Sequence, residues 1–415
     1  MSAYDEIRVG SLRLIEDRSI DPRLDSKGVE EVVHEVVEGY EERAHLGEVI
    51  SLRDPLEMTS RVLRSILEFG PLTELLSMPD VEEVFIEGAS VRYLDGSGVL
   101  RSVAEPVSEA ETRHVVDRLL GESDRRLDAS TPIVQARVLG GTARLTAVAP
   151  PVAETLSATI RRFSLRRQRL DRLVELGSLS GSAASFLRIV MESDASVIVS
   201  GQPGAGKTSL LSALIDAIPS SQCVRCCEEV RELSIPLVHG SYYETRPPSL
   251  DGSGEIDLRM LVKSVLAMRP DRIVVGEVRG SEAFELTRAV NAGCGFACTI
   301  HANSARDALN ALVNAALMAG ENVTEDVVQR VFASSLDFVI HLSRSSVPGG
   351  GIERRVEEIL AVLPAIGDGF TTEPVFDRSS GALEWTGALP GADILRRLER
   401  NGEPGSVVSL LKGAA

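Results

Sequence analysis

The sequence is short of lysine, aromatic residues and long apolar runs. Only four of its 44 basic residues are lysines, aromatics make up 4% of the chain, and the formal net charge is −17. Proteins that track a nucleic-acid backbone depend on basic groups that release counterions, so this balance disfavours that class. The apolar runs Val197–Val199 and Ile273–Val275 end within a few residues at charge or glycine. A membrane-spanning helix needs roughly 18 to 20 apolar residues, so the sequence predicts none.

The start of the chain also lacks features. Its first residues have neither the basic start nor the apolar core of a secretory signal, which predicts a cytoplasmic protein whose five cysteines are thiols. Cys223, Cys226 and Cys227 form a C-x-x-C-C cluster that could bind a metal. Neither a second cysteine pair nor a nearby histidine completes a tetrahedral set, and buried strand thiols are the favoured interpretation.

The spacing of apolar and turn residues along the chain predicts several segments. Helical spacing of valines between Val29 and Tyr40 indicates helices near the start, and short β-like runs with turn signals follow from Phe69 to Phe163. Beyond Ala183, alternating helices and apolar strands are typical of a parallel sheet with helical crossovers. The expected segments are a helical extension over 1–60, an α+β domain over 61–165, a hinge linker over 166–180, an α/β domain over 181–345 and a turn-rich tail over 346–415.

A phosphate-binding pattern lies between an apolar strand and an amphipathic helix. Its glycines let successive backbone N–H groups point at phosphate oxygens, and the following helix adds its positive end. Lys207 is expected to neutralise the β- and γ-phosphates of ATP, and the Thr208 hydroxyl to coordinate Mg²⁺. The alternative is a glycine-rich turn without a ligand. The residues expected to bind the nucleotide are Gly201, Gln202, Pro203, Gly204, Ala205, Gly206, Lys207, Thr208 and Ser209.

A second strand, Arg272 to Glu277, is an apolar run that ends in a carboxylate. P-loop enzymes use such a carboxylate beside the metal ion, so Glu277 is a candidate Mg²⁺ ligand that acts through metal-bound water. Gly276 stands where many such enzymes carry an aspartate, so Glu277 has to serve alone. The alternative is an ordinary buried strand followed by a solvated turn.

Several stretches together resemble the secretion ATPases of type II, type IV pilus and type IV secretion systems, and most of all the tight-adherence (Flp) pilus ATPases of TadA/CpaF type. The resemblance runs from Phe69 to about His341. The residues that carry it are Phe69–Leu72, Ala158–Phe163, the phosphate loop, Glu244–Pro248, Met268–Arg272, Gly276–Gly280 and Thr299–Ser304.

The resemblance implies an α/β fold: a RecA-like P-loop ATPase domain, with a smaller α+β N-terminal domain that closes over the nucleotide. It also implies a homo-oligomeric, hexameric ring that works on an inner-membrane platform protein. The acidic box of the family falls at Glu228-Glu229, and the resemblance assigns activation of the attacking water to Glu228; a solvated acidic turn is the alternative. His301 matches the second histidine of the family's histidine box, which senses the γ-phosphate, whereas an isolated histidine after a strand is more often structural.

The sequence differs from the family pattern at several positions. Asn291 to Gly295 offers no first histidine, and Glu229 stands where an aspartate is usual. The first leaves the role of that histidine without a match. The second, together with Cys226-Cys227 at a strand end where β-branched residues are usual, is expected to slow hydrolysis without abolishing it, since Lys207, Thr208, Glu228 and Glu277 remain.

Phosphoryl transfer commonly requires an arginine supplied from outside the P-loop. By motif the candidates are Arg161, Arg162 and Arg246, with Arg137 and Arg144 behind them. Any one of them could instead pair with surface acids.

The sequence therefore predicts a cytoplasmic, ATP-hydrolysing motor for pilus assembly or protein secretion, with ATP and Mg²⁺ as its ligands and no nucleic-acid partner. A RecA-like nucleic-acid translocase, a nucleotide-gated scaffold with weak hydrolysis, and a small-molecule kinase are the rival classes. The kinase leaves the motifs after Glu244 unexplained.

Overall fold

The computed structural model describes residues 3–413 except 23, 97, 104–106, 122, 124, 164–168, 247, 249–251, 321, 348–350, 364–368 and 401–404. Part of the expected hinge, at 166–168, therefore lies outside the described residues, as do Pro247 of the Glu244–Pro248 motif and part of the expected tail. The chain divides into two units, Met1–Ser164 and Leu165–Ala415.

The first unit begins with helices whose ends follow from local chemistry. The carboxylates of Asp25 and Asp54 accept backbone N–H groups of the first turns of two of these helices, which would otherwise lack partners. Their apolar faces, including Ile7, Val33 and Val62, pack into a shared buried cluster. The expected helical extension is confirmed. The helices are α1 (Ala3–Asp17), α2 (Ser26–His45) and α3 (Pro55–Leu67).

An antiparallel sheet completes the first unit, in the order β3-β2-β1-β6-β5-β4. Alternate residues of its strands, such as Val84 and Ile86, are buried against helix α5, whose first turn carries a capping box formed by Ser108 and Glu111. The elements are α4 (Thr73–Ser77), β1 (Val81–Glu87), β2 (Ser90–Asp95), β3 (Leu100–Ser102), α5 (Glu109–Leu120), β4 (Ile133–Val138), β5 (Ala143–Val148) and β6 (Ser157–Arg162).

The second unit alternates helices and strands, as the sequence predicts. Its elements are α6 (Leu170–Glu175), α7 (Gly181–Glu192), β7 (Val197–Gly201), α8 (Lys207–Asp216), β8 (Val224–Glu228), β9 (Gly240–Glu244), α9 (Leu258–Leu266), β10 (Arg272–Val278), α10 (Glu282–Asn291), β11 (Gly295–His301), α11 (Ala305–Leu317), α12 (Glu325–Ser335), β12 (Phe338–Ser346), β13 (Ile352–Leu363), β14 (Thr371–Asp377), β15 (Glu384–Trp385), α13 (Ala392–Leu398) and α14 (Ser406–Gly413).

These strands form one sheet in the order β15-β14-β13-β12-β7-β11-β10-β8-β9. From β12 to β9 the neighbours are parallel, so β7, β8, β10 and β11 all end at the same edge. Ligands of open α/β sheets bind at this carboxyl edge. It brings together the phosphate loop after β7, Glu228 at the end of β8, Glu277 near the end of β10 and His301 at the end of β11.

Both faces of the parallel region are covered by helices. Val197 and Val199 of β7 belong to the core that includes residues of α7 and α8, whereas Ile198 belongs to the core that includes residues of α10, α11 and α12. Fully burying one such side chain contributes about 1.5–3 kcal/mol. This two-sided burial explains why the strand is a continuous apolar run and does not alternate.

The remaining segments join the second unit. The expected linker over 166–180 contains α6, and Leu170 and Leu179 are buried in the core of this unit. The expected boundary at residue 345 falls within β12, and beyond it β13, β14 and β15 continue the sheet in antiparallel pairing. In the described part of the chain, no helix is long and apolar enough to cross a membrane.

Candidate nucleotide-binding site

The phosphate loop joins β7 to α8 with the backbone curvature that its glycines allow. Gly204 and Gly206 have φ of 74° and 93°, a region that side-chain-bearing residues rarely adopt. Helix α8 starts immediately afterwards at Lys207, so its unpaired N–H groups and its positive end face the loop. Thr208 and Ser209 follow in the first turn and are half-buried. All the residues expected to bind the nucleotide lie in this strand–loop–helix segment.

Lys207 is only 7% exposed and reaches back across the loop. Its Nζ donates to the carbonyl oxygens of Gly201 at 3.1 Å and Gln202 at 3.2 Å, and lies 3.1 Å from Nδ1 of His301. The structure thus brings together the loop lysine and the histidine of the following motif, two residues that the sequence placed 94 positions apart.

His301 links the lysine to Glu277. Because an ammonium group can only donate, Nδ1 of His301 accepts from Lys207, so in the neutral ring Nε2 carries the hydrogen. Nε2 lies in close contact with Oε1 of Glu277. This tautomer is neutral. Burial, and then the charge of Lys207, lower the pKa of His301 below its usual value, in agreement with the neutral form.

Arg279 extends the chain of contacts from Lys207 through His301 and Glu277. Its Nη2 donates to Oε2 of Glu277 at 2.7 Å, and its Nη1 lies 3.5 Å from Glu229. The Glu277 carboxylate therefore has a donor on each side. Arg279 belongs to a motif that carries the resemblance, but sequence reasoning gave it no role in the site.

Glu228 ends β8 and is 4% exposed. Its carboxylate accepts the backbone N–H groups of Glu232 at 3.1 Å and Leu233 at 3.2 Å. Burial raises its pKa to about 7, although these two hydrogen bonds favour the charged form and oppose the rise. A carboxyl group with a pKa near neutrality can exchange a proton with a water molecule under physiological conditions.

Gly276, the position where an aspartate is usual, lies against Glu228. A Cβ placed at Gly276 would be 2.7 Å from Cγ of Glu228. The acid of β8 thus occupies the space that a side chain at 276 would need. The absence of a side chain at Gly276 therefore has a steric reason.

Magnesium needs hard oxygen ligands, and the site contains them. The Thr208 hydroxyl stands at the start of α8, and the Glu277 carboxylate stands near the end of β10. The donor set fits the ion. The contacts of Glu277 with His301 and Arg279 favour a role through metal-bound water over direct ligation, because direct ligation would have to displace one of them.

The candidate arginines have the following places. Arg246 donates from Nε to the carbonyl oxygen of Gly254 at 2.7 Å, within the second unit. Arg162, on β6 of the first unit, donates to the carbonyl oxygen of Met78. Arg161 lies 3.4 Å from Glu83.

Strand register groups three of the five candidate arginines. Arg137 on β4 is opposite Arg144 on β5, which is opposite Arg161 on β6. Directly paired residues point to the same face of a sheet, so these arginines form one row, and Arg162 points to the other face.

Two arginines that no motif marked lie at the phosphate loop. Arg354 of β13 donates from Nε to the carbonyl oxygen of Gly204 at 3.0 Å. A Cβ placed at Gly204 would be 2.9 Å from Nη1 of Arg344, on β12. Predicting these two arginines would have required knowing which strand pairs with β7 on the side away from β11. The sequence does not identify that strand as β12.

Four of the five cysteines are buried as expected, whereas Cys223, just before β8, is half-buried. Cys226 and Cys227 lie inside β8, and burial raises the pKa of both thiols. Among the described residues, no group of three or more histidine, cysteine, aspartate or glutamate side chains is arranged to hold a metal ion.

Comparisons with known proteins extend these observations. Residues 78–356 match the family model described as Type II/IV secretion system protein. A Mycobacterium tuberculosis protein that carries the name conjugal transfer protein is 33% identical over 316 residues, which cover 74% of this chain and 88% of that protein. The conjugal transfer protein TrbB of Rhizobium radiobacter is 30% identical over 301 residues, or 71% of this chain and 85% of TrbB.

A solved structure shares the fold. The X-ray structure of the Legionella pneumophila ATPase DotB superposes with a TM-score of 0.51 at 15% sequence identity, covering 82% of this chain and 85% of that one. At this identity the likeness concerns the fold alone. It confirms the expected α/β architecture of a P-loop domain with a preceding α+β domain.

Proposed function

This chain belongs to the type II/IV secretion system protein family and is an ATPase that powers secretion or pilus assembly; we propose that it works as a hexameric ring on a platform protein at the cytoplasmic face of the membrane. The family match supports the activity. The ring, the platform partner and the cytoplasmic placement are the proposed part, and they rest on the family resemblance.

One observation carries the proposal for the site: the chain of contacts Lys207–His301–Glu277 at the carboxyl edge of the sheet. A glycine-rich turn without a ligand would not need a buried lysine held among carbonyl oxygens. The ammonium of Lys207 can exchange its contacts with Gly201 and Gln202 for phosphate oxygens, which are charged and therefore stronger acceptors.

The nucleotide would be held by the loop N–H groups, the start of α8 and Lys207. Mg²⁺ would be held by Thr208, with Glu277 acting through metal-bound water, and would neutralise charge on the β- and γ-phosphates. Glu228 would orient the attacking water and take its proton. Its pKa of about 7 suits a base that must both accept and release a proton.

His301 would report the state of the γ-phosphate. When Lys207 engages phosphate, its contact with Nδ1 of His301 changes, and the contact of Nε2 with Glu277 changes with it. The arginine finger is proposed to be Arg161, Arg162 or Arg246, and the row of Arg137, Arg144 and Arg161 supports the first of these. A guanidinium group meets the charge that develops during phosphoryl transfer.

Mg²⁺-dependent ATP hydrolysis by the purified full chain tests the proposal. Lys207→Ala removes the ammonium and Glu228→Gln removes the base, and each is expected to reduce kcat at least about 100-fold. Phosphate release in a coupled assay measures the rate, and thermal unfolding shows whether each variant is folded.

Matched controls separate chemistry from general damage. Lys263→Ala removes an exposed lysine of α9, and Glu255→Gln removes an exposed carboxylate. Both are expected to keep wild-type rates. Wild-type protein that binds ATP and shows no Mg²⁺-dependent turnover would contradict the hydrolytic role.

A second candidate is a nucleotide-gated scaffold with weak hydrolysis. The observation in its favour is that the backbone N–H groups of Glu232 and Leu233 donate to the Glu228 carboxylate. These hydrogen bonds restrict the movement of the carboxylate toward an attacking water. In that case ATP binding would persist in Glu228→Gln, and the slow wild-type rate would not change.

A further inference from the structure

The hairpin of β12 and β13 reaches past the end of its neighbour and meets the phosphate loop. Leu342 of β12 is paired with Gly201, the last residue of β7, so Arg344 lies two residues beyond the end of that strand. Arg344 is directly opposite Arg354 in the antiparallel pairing of β12 with β13. Both side chains therefore project from one face of the hairpin.

Both arginines contact the same part of the loop. The carbonyl oxygen of Gly204 accepts from Nε of Arg354 at 3.0 Å, and Cδ of Arg354 lies 3.6 Å from the position of a Cβ on Gly206. Nη1 of Arg344 lies 2.9 Å from the position of a Cβ on Gly204. A residue larger than glycine at 204 would collide with this guanidinium group.

The two arginines concentrate positive charge beside the phosphate loop. Like charges directly opposite each other across two strands repel, and Lys207 adds a third positive charge on the same loop.

The two arginines differ in how they are held. Arg354 is half-buried and bound to the loop carbonyl, which is a structural role. Arg344 is exposed, and in the described part of the chain no hydrogen bond or ion pair fixes its guanidinium group. It remains mobile enough to turn from Gly204 toward a ligand.

We propose that Arg344 binds the polyphosphate of the nucleotide from the outer side of the loop, and that Arg354 is a positioning residue that holds the loop at Gly204. This inference rests on the proposed ATPase function and adds a cationic contact supplied by the same chain. A guanidinium group presents paired donors that match phosphate oxygens, and its contribution depends on the charge of the ligand. Through Arg354, it also gives β13 a part in forming the nucleotide site.

Titration of the full chain with an ATP analogue carrying an imido β–γ bridge, with ADP and with AMP tests the role of Arg344. Arg344→Ala is expected to weaken binding of the analogue about tenfold or more, of ADP less, and of AMP least. Arg344→Lys restores part of the loss, because the charge returns without the fork of donors. Arg355→Ala, which removes an arginine one position from Arg354 on the other face, is the matched control and is expected to bind as the wild type does.

Arg354 is tested by rescue. Arg354→Ala is expected to weaken the analogue and AMP by similar factors, because the whole loop is released, and Arg354→Lys is expected to recover binding through a new donor to Gly204. Equal loss for all nucleotides in Arg344→Ala, or no loss, overturns the phosphate contact. Wild-type protein that binds none of these nucleotides defeats the proposed function first and this inference with it, whereas wild-type binding with an unaffected Arg344→Ala defeats this inference alone.

Discussion

At the scale of single residues, the buried position of Glu228 determines how readily its carboxyl group ionises. The apolar surroundings of β8 raise its pKa to about 7, and its place at the carboxyl edge sets it among the candidate catalytic groups. Burial is thus not only structural here, because it moves the pKa of this carboxyl group into the physiological range.

The rate of hydrolysis is expected to depend on pH through Glu228. The base is the carboxylate form, so kcat should rise as the pH increases through about 7 and level off near pH 8. A rate profile from pH 5.5 to 8.5 measures this. Glu228→Gln should leave a low rate without that rise, and a wild-type profile that is flat across this range would show that Glu228 is not the base.

The pH dependence of the free energy of unfolding reports the raised pKa of Glu228 independently of the hydrolysis rate. The folded-state pKa is raised from the ordinary 4.5 to about 7, so the folded protein binds the extra proton, and the free energy of unfolding falls as pH rises through that window. Glu228→Gln has no such proton to lose. Its stability relative to the wild type is therefore expected to increase between pH 5 and pH 8, which denaturant titration at both pH values measures.

At the scale of elements, the sequence predicts β7 and α8 well because strand, loop and helix are consecutive. The burial of β7 on both faces produces a continuous apolar run, and Gly204 and Gly206 mark the turn. It does not predict the contact of Lys207 with His301, because strand order follows from tertiary packing. The insertion of β11 between β7 and β10 is what places His301 beside the loop.

The close approach of β8 to β10 at Gly276 gives a prediction for that pair of strands. Gly276→Ala puts a Cβ 2.7 Å from Cγ of Glu228, so the side chain or the strand has to shift. Overpacking of this kind costs about 1–3 kcal/mol, and the displaced carboxylate should lower kcat at least about tenfold. Gly181→Ala, at the start of α7 where the added Cβ meets no atom within 4 Å, is the control.

Unfolding transitions and hydrolysis rates measured together decide the outcome for Gly276. An unchanged rate in a destabilised Gly276→Ala protein would mean that the position of Glu228 does not matter for turnover. The same loss of rate in Gly181→Ala would point to a general effect of substitution in this unit.

At the scale of the whole molecule, the segment after residue 345 shows the limit of sequence reasoning. Its turns predict a separate tail, yet β13, β14 and β15 extend the sheet, and Val407 and Leu411 of α14 are buried in the same core as α7. These strands pair with their sequence neighbours, but the first of them, β13, is joined to the sheet through β12, whose pairing with the distant β7 leaves no periodic signal in the sequence. Arg344 and Arg354 were missed for this reason.

Assembly can be tested by mixing variants. If the arginine finger is Arg161 supplied by a neighbouring subunit, then Lys207→Ala and Arg161→Ala proteins are each inactive, and mixed rings contain some sites with both groups intact. Specific activity should therefore rise with protein concentration in the wild type, and mixing the two variants should restore part of it. Arg92→Ala, which removes an exposed arginine of β2 in the same sheet, is expected to stay fully active alone. Mixtures as inactive as their components would place the finger in the same chain as the site, because each variant would then lack one group in every site it contributes.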